Sequence, residues 1–399
     1  MNLEIPKKLK PLTEAAYTAA RTIFRPISRK YDTLEHEYPK ELDLFAAAVN
    51  GMNDGGGAIG GATGSRGEAA STDTVKNGGN MATVLNIMAM CYGDVGLLLA
   101  IPRQGLGNAA IAAVANDEQM KRFGHLWAAM AITEPGAGSD SAAITTTAVK
   151  DGDHYILNGE KIFVTSGERA DAVVVWASLD KSLGRAAIKS FVVEKGTPGM
   201  EIVRLETKMG IRASDTAAIS FTNCRIPASN LLGSPEIDVK KGFAGVMETF
   251  DNTRPFVAAM AVGCAEAALE RTRELLKDHI RLNHTSPINN LSAVEAELYK
   301  LEADYEAARL LTLKAAWLAD NKIPNSMEAS ICKAKAGRTA SRITLKCVEL
   351  CSSLGYSEAE LLEKWARDSK ILDIFEGTQQ IQQLIIARRL LGKTSKELK

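Results

Sequence analysis

The residue best suited to do chemistry is Glu376, in the string Ile374-Phe375-Glu376-Gly377-Thr378-Gln379-Gln380-Ile381-Gln382. Gly377 interrupts a helical pattern there, so the carboxylate falls at a helix junction where a ligand can approach the backbone closely. Ile374 and Phe375 give it apolar surroundings, which would raise its pKa and suit a general base. Three other segments could build a binding site. Ala131-Ile132-Thr133-Glu134-Pro135-Gly136-Ala137-Gly138-Ser139-Asp140 puts two glycines and a proline in one turn, flanked by the Thr133 and Ser139 hydroxyls. Free amide N–H groups and hydroxyls suit a ligand rich in carbonyl and phosphate oxygens. Asn158-Gly159-Glu160-Lys161-Ile162-Phe163-Val164-Thr165-Ser166-Gly167 reads as a turn entering a strand. Phe163 and Thr165 then share a face, an aromatic surface for a planar ring with a hydroxyl at its edge. Phe250-Asp251-Asn252-Thr253-Arg254-Pro255 sets Arg254 at the start of an Ala-rich helix, able to reach into a cleft. Each segment also has an ordinary structural reading: an exposed glutamate, a surface turn, a half-buried strand, a solvated Arg254–Asp251 salt bridge.

These residues need elements to position them. The chain has 399 residues, 46% of them hydrophobic, which is enough for two or three domains with real cores and excludes a disordered or collagen-like chain. Its 48 basic and 48 acidic residues balance, which weakens any reading based on attraction to nucleic acid or an anionic membrane. No stretch of 18 apolar residues occurs, so no membrane span is expected. The first residues lack the apolar core of a signal peptide, and Cys91, Cys224, Cys264, Cys332, Cys347 and Cys351 show no metal-type spacing. They read as core residues, and a reducing cytoplasm fits them.

The pattern changes twice along the chain. Residues 1–125 read as helical, with 81–91 apolar all round and therefore buried. The Gly-rich run from Asp54 to Gly67 lacks the Lys-Ser/Thr ending of a phosphate loop and reads as a surface loop. Residues 126–235 hold short β-prone runs at 144–149, 154–157, 172–177, 190–194 and 217–222, with the turn dipeptides Asp151-Gly152 and Asn158-Gly159 between them. Residues 236–399 return to helix at 254–280, 326–350, 358–374 and 379–391. One stripe runs through Leu291, Val294, Leu298, Leu301 and Tyr305 between Pro287 and Pro324. The expected fold class is therefore α+β: an N-terminal helical domain (1–125), a middle antiparallel β domain (126–235) and a C-terminal four-helix bundle (236–399).

The four chemical segments, in this order and at this spacing, resemble those of the acyl-CoA dehydrogenase family, and Lys208–Thr216 matches a fifth family segment. The resemblance covers residues 80–395 well and the first 80 loosely. It implies FAD-dependent oxidation of an acyl-CoA thioester to a trans-2-enoyl-CoA, with electrons passing to an electron-transfer flavoprotein. Glu376 then matches the base that removes the α proton. In the family, that residue's own N–H and a flavin hydroxyl stabilise the enolate oxygen. By the same resemblance Ile132, Thr133, Gly138, Ser139, Phe163, Thr165, Thr378 and Gln380 would hold the cofactor. Phe250, Asp251, Arg254, Phe375 and Gly377 would hold the substrate. Phe163 stands where the family usually has Trp, which keeps the aromatic face but loses an N–H donor. The segment Gly96–Arg103 would border an apolar acyl pocket.

Two departures concern what one subunit of the family lends to its neighbour. Where the family has R-x-x-F-G, the segment here reads Asp278-His279-Ile280-Arg281-Leu282-Asn283-His284-Thr285-Ser286-Pro287, with Arg281 and His284 basic but the Phe-Gly missing. Its Q-x-x-G-G-x-G is here Glu349-Leu350-Cys351-Ser352-Ser353-Leu354-Gly355, a carboxylate and two serines where a diphosphate is expected. A homo-oligomer (dimer or tetramer) with adjusted contacts and a hetero-oligomer completed by a related subunit both follow. An oxidase of the same fold and a non-catalytic or DNA-binding relative are the competing readings. The charge balance and the retained Glu376 speak against the last of these.

Overall fold

Prolines in the first turns of Lys10–Ala19 (α1) and Arg25–Thr33 (α2) start two helices where the missing N–H would have no partner anyway. A π turn, Ala20–Phe24, joins them. The computed structural model describes residues 5–52, 77–102, 106–237, 244–281, 287, 290–394 and 397, without the side chains of 48–52 and 244–252. The Gly-rich run at 54–67, Arg103 and His284 lie outside the described residues. Glu41–Met52 (α3), Gly79–Gly93 (α4), Val95–Ala100 (α5), Leu106–Val114 (α6) and Asp117–Phe123 (α7) complete the first helical block. As its apolar composition predicts, α4 is largely buried, with Met81, Val84, Leu85, Met88 and Cys91 in the core.

Seven strands follow: Ala128–Ala131 (β1), Thr147–Asp151 (β2), His154–Thr165 (β3), Ala172–Ser178 (β4), Ile188–Glu194 (β5), Met200–Leu205 (β6) and Thr216–Pro227 (β7). They form one sheet in the order β1-β4-β2-β3-β7-β6, with β5 on the other edge of β4. The β2–β3, β3–β7, β4–β5 and β6–β7 pairings are antiparallel, as expected. β1 and β2 pair with β4 in parallel, one after the other along the same edge. The sheet is therefore mixed, because β1 meets β4 only after the chain has made the β2–β3 hairpin.

The Asp151-Gly152 turn is real, with Gly152 at φ +59° in the β2–β3 loop. Asn158-Gly159 is not a turn. It lies inside the continuous strand β3, where the register shifts between Leu157 and Gly159. Gly159 takes φ +151°, and a Cβ there would lie 2.4 Å from Thr146 Oγ1, so the glycine makes a bulge against the neighbouring chain.

Ala244–Leu276 (α8), Ala293–Asp320 (α9), Ser326–Leu350 (α10), Ser352–Tyr356 (α11), Leu362–Ser369 (α12) and Gln379–Leu391 (α13) form the last block. A capping box between Ser292 and Glu295 starts α9. Arg254-Pro255 does not start a helix as the sequence suggests. Pro255 lies inside α8, and the buried positions Thr253, Val257, Ala261 and Ala265 carry one face of the helix past it. The long helices α8, α9 and α10 pack as a bundle, and α4 of the first block packs into it against α8 and α9. One core runs from Ala20, Phe24 and Leu85 to Val262, Leu301, Ile343 and Trp365. All six cysteines are free and buried. Among the described residues no helix is long and apolar enough to cross a membrane.

Candidate active site

The turn at 133–140 is set by a side chain that points away from it. Glu134 is 3% exposed and accepts hydrogen bonds from the N–H and hydroxyl groups of Thr145 and Thr146. It also accepts one from Lys161 Nζ on β3 at 2.7 Å, and the same ammonium donates to Ile132 O at 3.1 Å. Burial alone would raise the carboxyl's pKa, but the Lys161 and Thr146 bonds outweigh it and hold Glu134 down to about 2. A second tie runs from Ile162 N to Thr133 O at 2.9 Å. The turn is thereby fixed against β3, beside Phe163 and Thr165.

Val164 is buried, while Phe163 is 60% exposed and Thr165 half-buried on the opposite face. Phe163 at φ +57° and Ser166 at φ +60° bend the end of the strand. The residues present fit a flavin cofactor. The N–H groups of Gly138 and Ser139 have no acceptor among the described residues. Cβ atoms built on Gly136 and Gly138 would meet nothing within 4 Å. The Ser166 hydroxyl is buried with no hydrogen-bond partner. Ile132 is buried, so only its backbone is offered.

The second group centres on Glu376, which has φ +55° and is followed by Gly377 at φ +93°. A left-handed non-glycine residue in such a turn is a strained conformation that the surroundings must hold. Thr253 Oγ1 donates to Glu376 Oε2 at 2.9 Å. Lys333 Nζ, from α10, donates to Gly377 O at 2.6 Å. Gln382 Nε2, from α13, donates to Glu376 O at 3.0 Å and Gly377 O at 3.1 Å. Burial raises the Glu376 pKa, and the Thr253 hydroxyl, Arg254 and Lys333 pull it partly back. The N–H of Glu376 has no acceptor among the described residues.

Arg254 is 2% exposed, so the solvated salt bridge is excluded for it. The backbone of Phe250 and Asp251 is part of α8, but their side chains lie outside the described residues. Phe375 is half-buried against the helical core. Thr378 caps α13 by accepting from Ile381 N at 3.5 Å, and Gln380 is exposed. Leu97 and Leu98 pack into the core, and Leu99 keeps partial exposure.

No direct hydrogen bond joins the two groups among the described residues. Lys208–Thr216 ties the first group to α12, the helix that precedes the Glu376 turn in the chain: Ser166 N donates to Asp215 O at 3.0 Å, and Ile211 N donates to Asp368 Oδ1 at 2.5 Å. Sequence reasoning missed Glu134–Lys161, Thr253, Lys333 and Gln382 as parts of the site. Lys333 had a signal: it falls on the stripe Ala329, Cys332, Ala336, Ala340 of α10, where a lysine must be buried.

Near the departures, Glu349 is exposed and paired with Lys346. Ser352 takes φ +51°, so it holds a backbone conformation that favours glycine. Arg281 N donates to Glu295 Oε1 at 2.7 Å.

Residues 129–224 match the model of the acyl-CoA dehydrogenase middle domain, and 240–391 that of the acyl-CoA dehydrogenase C-terminal domain. The cyclohex-1-ene-1-carbonyl-CoA dehydrogenase of Geobacter metallireducens is 40% identical over 69% of this chain and 72% of its own. The mitochondrial short-chain specific acyl-CoA dehydrogenase of Bos taurus is 40% identical over 65% of this chain and 62% of its own. The butyryl-CoA dehydrogenase structure from Megasphaera elsdenii superposes with a TM-score of 0.84 at 31% identity, over 98% of this chain and 100% of that one. The chain belongs to the acyl-CoA dehydrogenase family of oxidoreductases.

Proposed function

We propose that the chain catalyses α,β-dehydrogenation of an acyl-CoA thioester to the trans-2-enoyl-CoA, with Glu376 as the base. The observation that carries this reading is Glu376 itself: a partly buried carboxylate in a strained turn, with its own N–H unpaired beside it among the described residues. Glu376 takes the α proton. Its N–H, fixed by the same turn, donates to the thioester oxygen as negative charge develops there. Thr253 orients the carboxylate through Oε2, and Arg254 holds charge near it. A bound FAD would supply the acceptor for the β-carbon hydride, with an electron-transfer flavoprotein as the onward electron acceptor. Ile132, Thr133, Gly138, Ser139, Phe163 and Thr165 would hold its ring, and Thr378 and Gln380 its ribose and adenine. Phe250, Asp251, Arg254, Phe375 and Gly377 would hold the acyl-CoA.

The base must be ionised to work, so the rate of reduction rises with pH through a midpoint above the ordinary glutamate value. Anaerobic bleaching of the flavin by a panel of acyl-CoAs tests the reading. Glu376→Gln is expected to fold and to lose about 10²–10⁴-fold in rate. Undiminished bleaching in that variant would remove Glu376 as the base.

The second reading concerns assembly. Glu349 and the strained Ser352 stand where the family's pattern places a neighbour's diphosphate contacts. They favour a hetero-oligomer in which a related subunit completes the FAD site, and the flavin content of the chain expressed alone decides it.

A further inference from the structure

The Glu376–Gly377 turn is not held by its own backbone. Both residues have positive φ, and no backbone N–H among the described residues donates to either carbonyl. Those carbonyls are taken instead by two side chains from different helices, Lys333 on α10 and Gln382 on α13, each 0% exposed. Burying an ammonium and an amide has a high desolvation cost, and simple core packing would be served by leucine at either place.

The neighbourhood makes the clamp tight. A Cβ on Gly377 would lie 2.5 Å from Gln382 Nε2, so the amide already fills the space above the glycine. One turn beyond Lys333, a Cβ on Gly337 would lie 2.6 Å from Leu372 O, so α10 is pressed directly against the segment leading into the turn. Gln379 Nε2 adds a bond to Ala334 O at 2.5 Å, joining the start of α13 to the same stretch of α10. Resting on the reading of Glu376 as the base, we propose that Lys333 and Gln382 are positioning residues that hold the turn in its left-handed form and so aim both the Glu376 carboxylate and its N–H at the substrate.

Lys333 has a second effect that Gln382 lacks. It faces Glu376, Asp373 and Arg254. Burial pushes its ammonium down to about 8, with the two carboxylates holding it up and Arg254 opposing them, so it keeps its charge at neutral pH. Glu376 in turn faces Thr253, Arg254 and Lys333. Removing the Lys333 charge therefore raises the Glu376 pKa, while removing the neutral Gln382 amide leaves the charges as they are.

The test compares Lys333→Met and Gln382→Met with the parent chain by two readouts. The first is infrared titration of the Glu376 carboxyl, assigned by its loss in Glu376→Gln. The second is kcat and KM for acyl-CoA-driven flavin reduction. Both variants are expected to lose about 100-fold in kcat with little change in KM, the size of effect that follows from misplacing a reacting group by about 1 Å. Only Lys333→Met should move the carboxyl midpoint, and upward. A folded Lys333→Met with the parent midpoint and kcat overturns the proposal, as does a folded Gln382→Met with parental kcat. Where Lys333→Met fails to fold, Lys333→Gln takes its place. It keeps a donor for the Gly377 carbonyl but drops the charge, so it should raise the midpoint with a smaller kcat loss, and an unmoved midpoint overturns the proposal. If Glu376→Gln still reduces flavin, the base assignment fails by itself, and the infrared midpoints still decide the clamp.

Discussion

Glu134 shows how a motif residue can act without touching a ligand. Its carboxylate collects Lys161 Nζ and four donors from Thr145 and Thr146, and it is what makes the 133–140 turn a fixed shape. Glu134→Gln leaves the Lys161 ammonium buried without a counter-charge, and a loss of about 3–5 kcal/mol is expected from urea unfolding. The sign of its pH dependence follows from the depressed pKa. The stabilisation is fully present above the ordinary carboxylate range and is lost as pH falls through about 2. Both partners stand in the strings that carry the family resemblance, yet the pair itself was not legible, because spacing along the chain does not say which side chains meet beneath a turn. Glu376 was legible as a candidate base. Lys333 stands 43 positions before it in the numbering, and only the packing of α10 against the turn brings it there.

The elements were read best where periodicity is long. The helices at 326–350 and 379–391 match α10 and α13 to the residue, and the stripe from Val294 to Tyr305 lies along α9. Strands β1 and β6 escaped notice for opposite reasons. Ala128–Ala131 has no β-branched residue, and Met200–Leu205 is mostly exposed, so neither shows alternation. Proline misled at α8, where burial along one face overrides the break that Pro255 suggests. The contact between α4 and α8 was also out of reach of sequence. A Cβ on Gly263 would lie 2.1 Å from Met88 O, so the two helices touch through a bare backbone. Gly263→Ala must push them apart, and a destabilisation of about 1–3 kcal/mol is expected by thermal or urea unfolding.

At the scale of the whole molecule, zero net charge has to be reconciled with the proposed binding of two polyanions, so that reading calls for local positive contacts, for which the buried Arg254 is the candidate. The hetero-oligomer reading belongs here. Expressed alone, the chain is expected to hold less than one flavin per subunit and to gain it with a related partner, as measured by absorbance of the purified protein. Stoichiometric, tightly held flavin in the lone chain would sink that reading. The shared helical core has a consequence for biosynthesis. Phe24 and Leu85 are made before the sheet, while their core companions Ile343 and Trp365 are made only after it. The sheet is complete once Pro227 has emerged and can close on its own cluster of Leu157, Val175, Phe191 and Ile219. The first helices therefore wait with apolar faces uncovered while the ribosome finishes the other half of their core, and that interval is when the nascent chain most needs a chaperone.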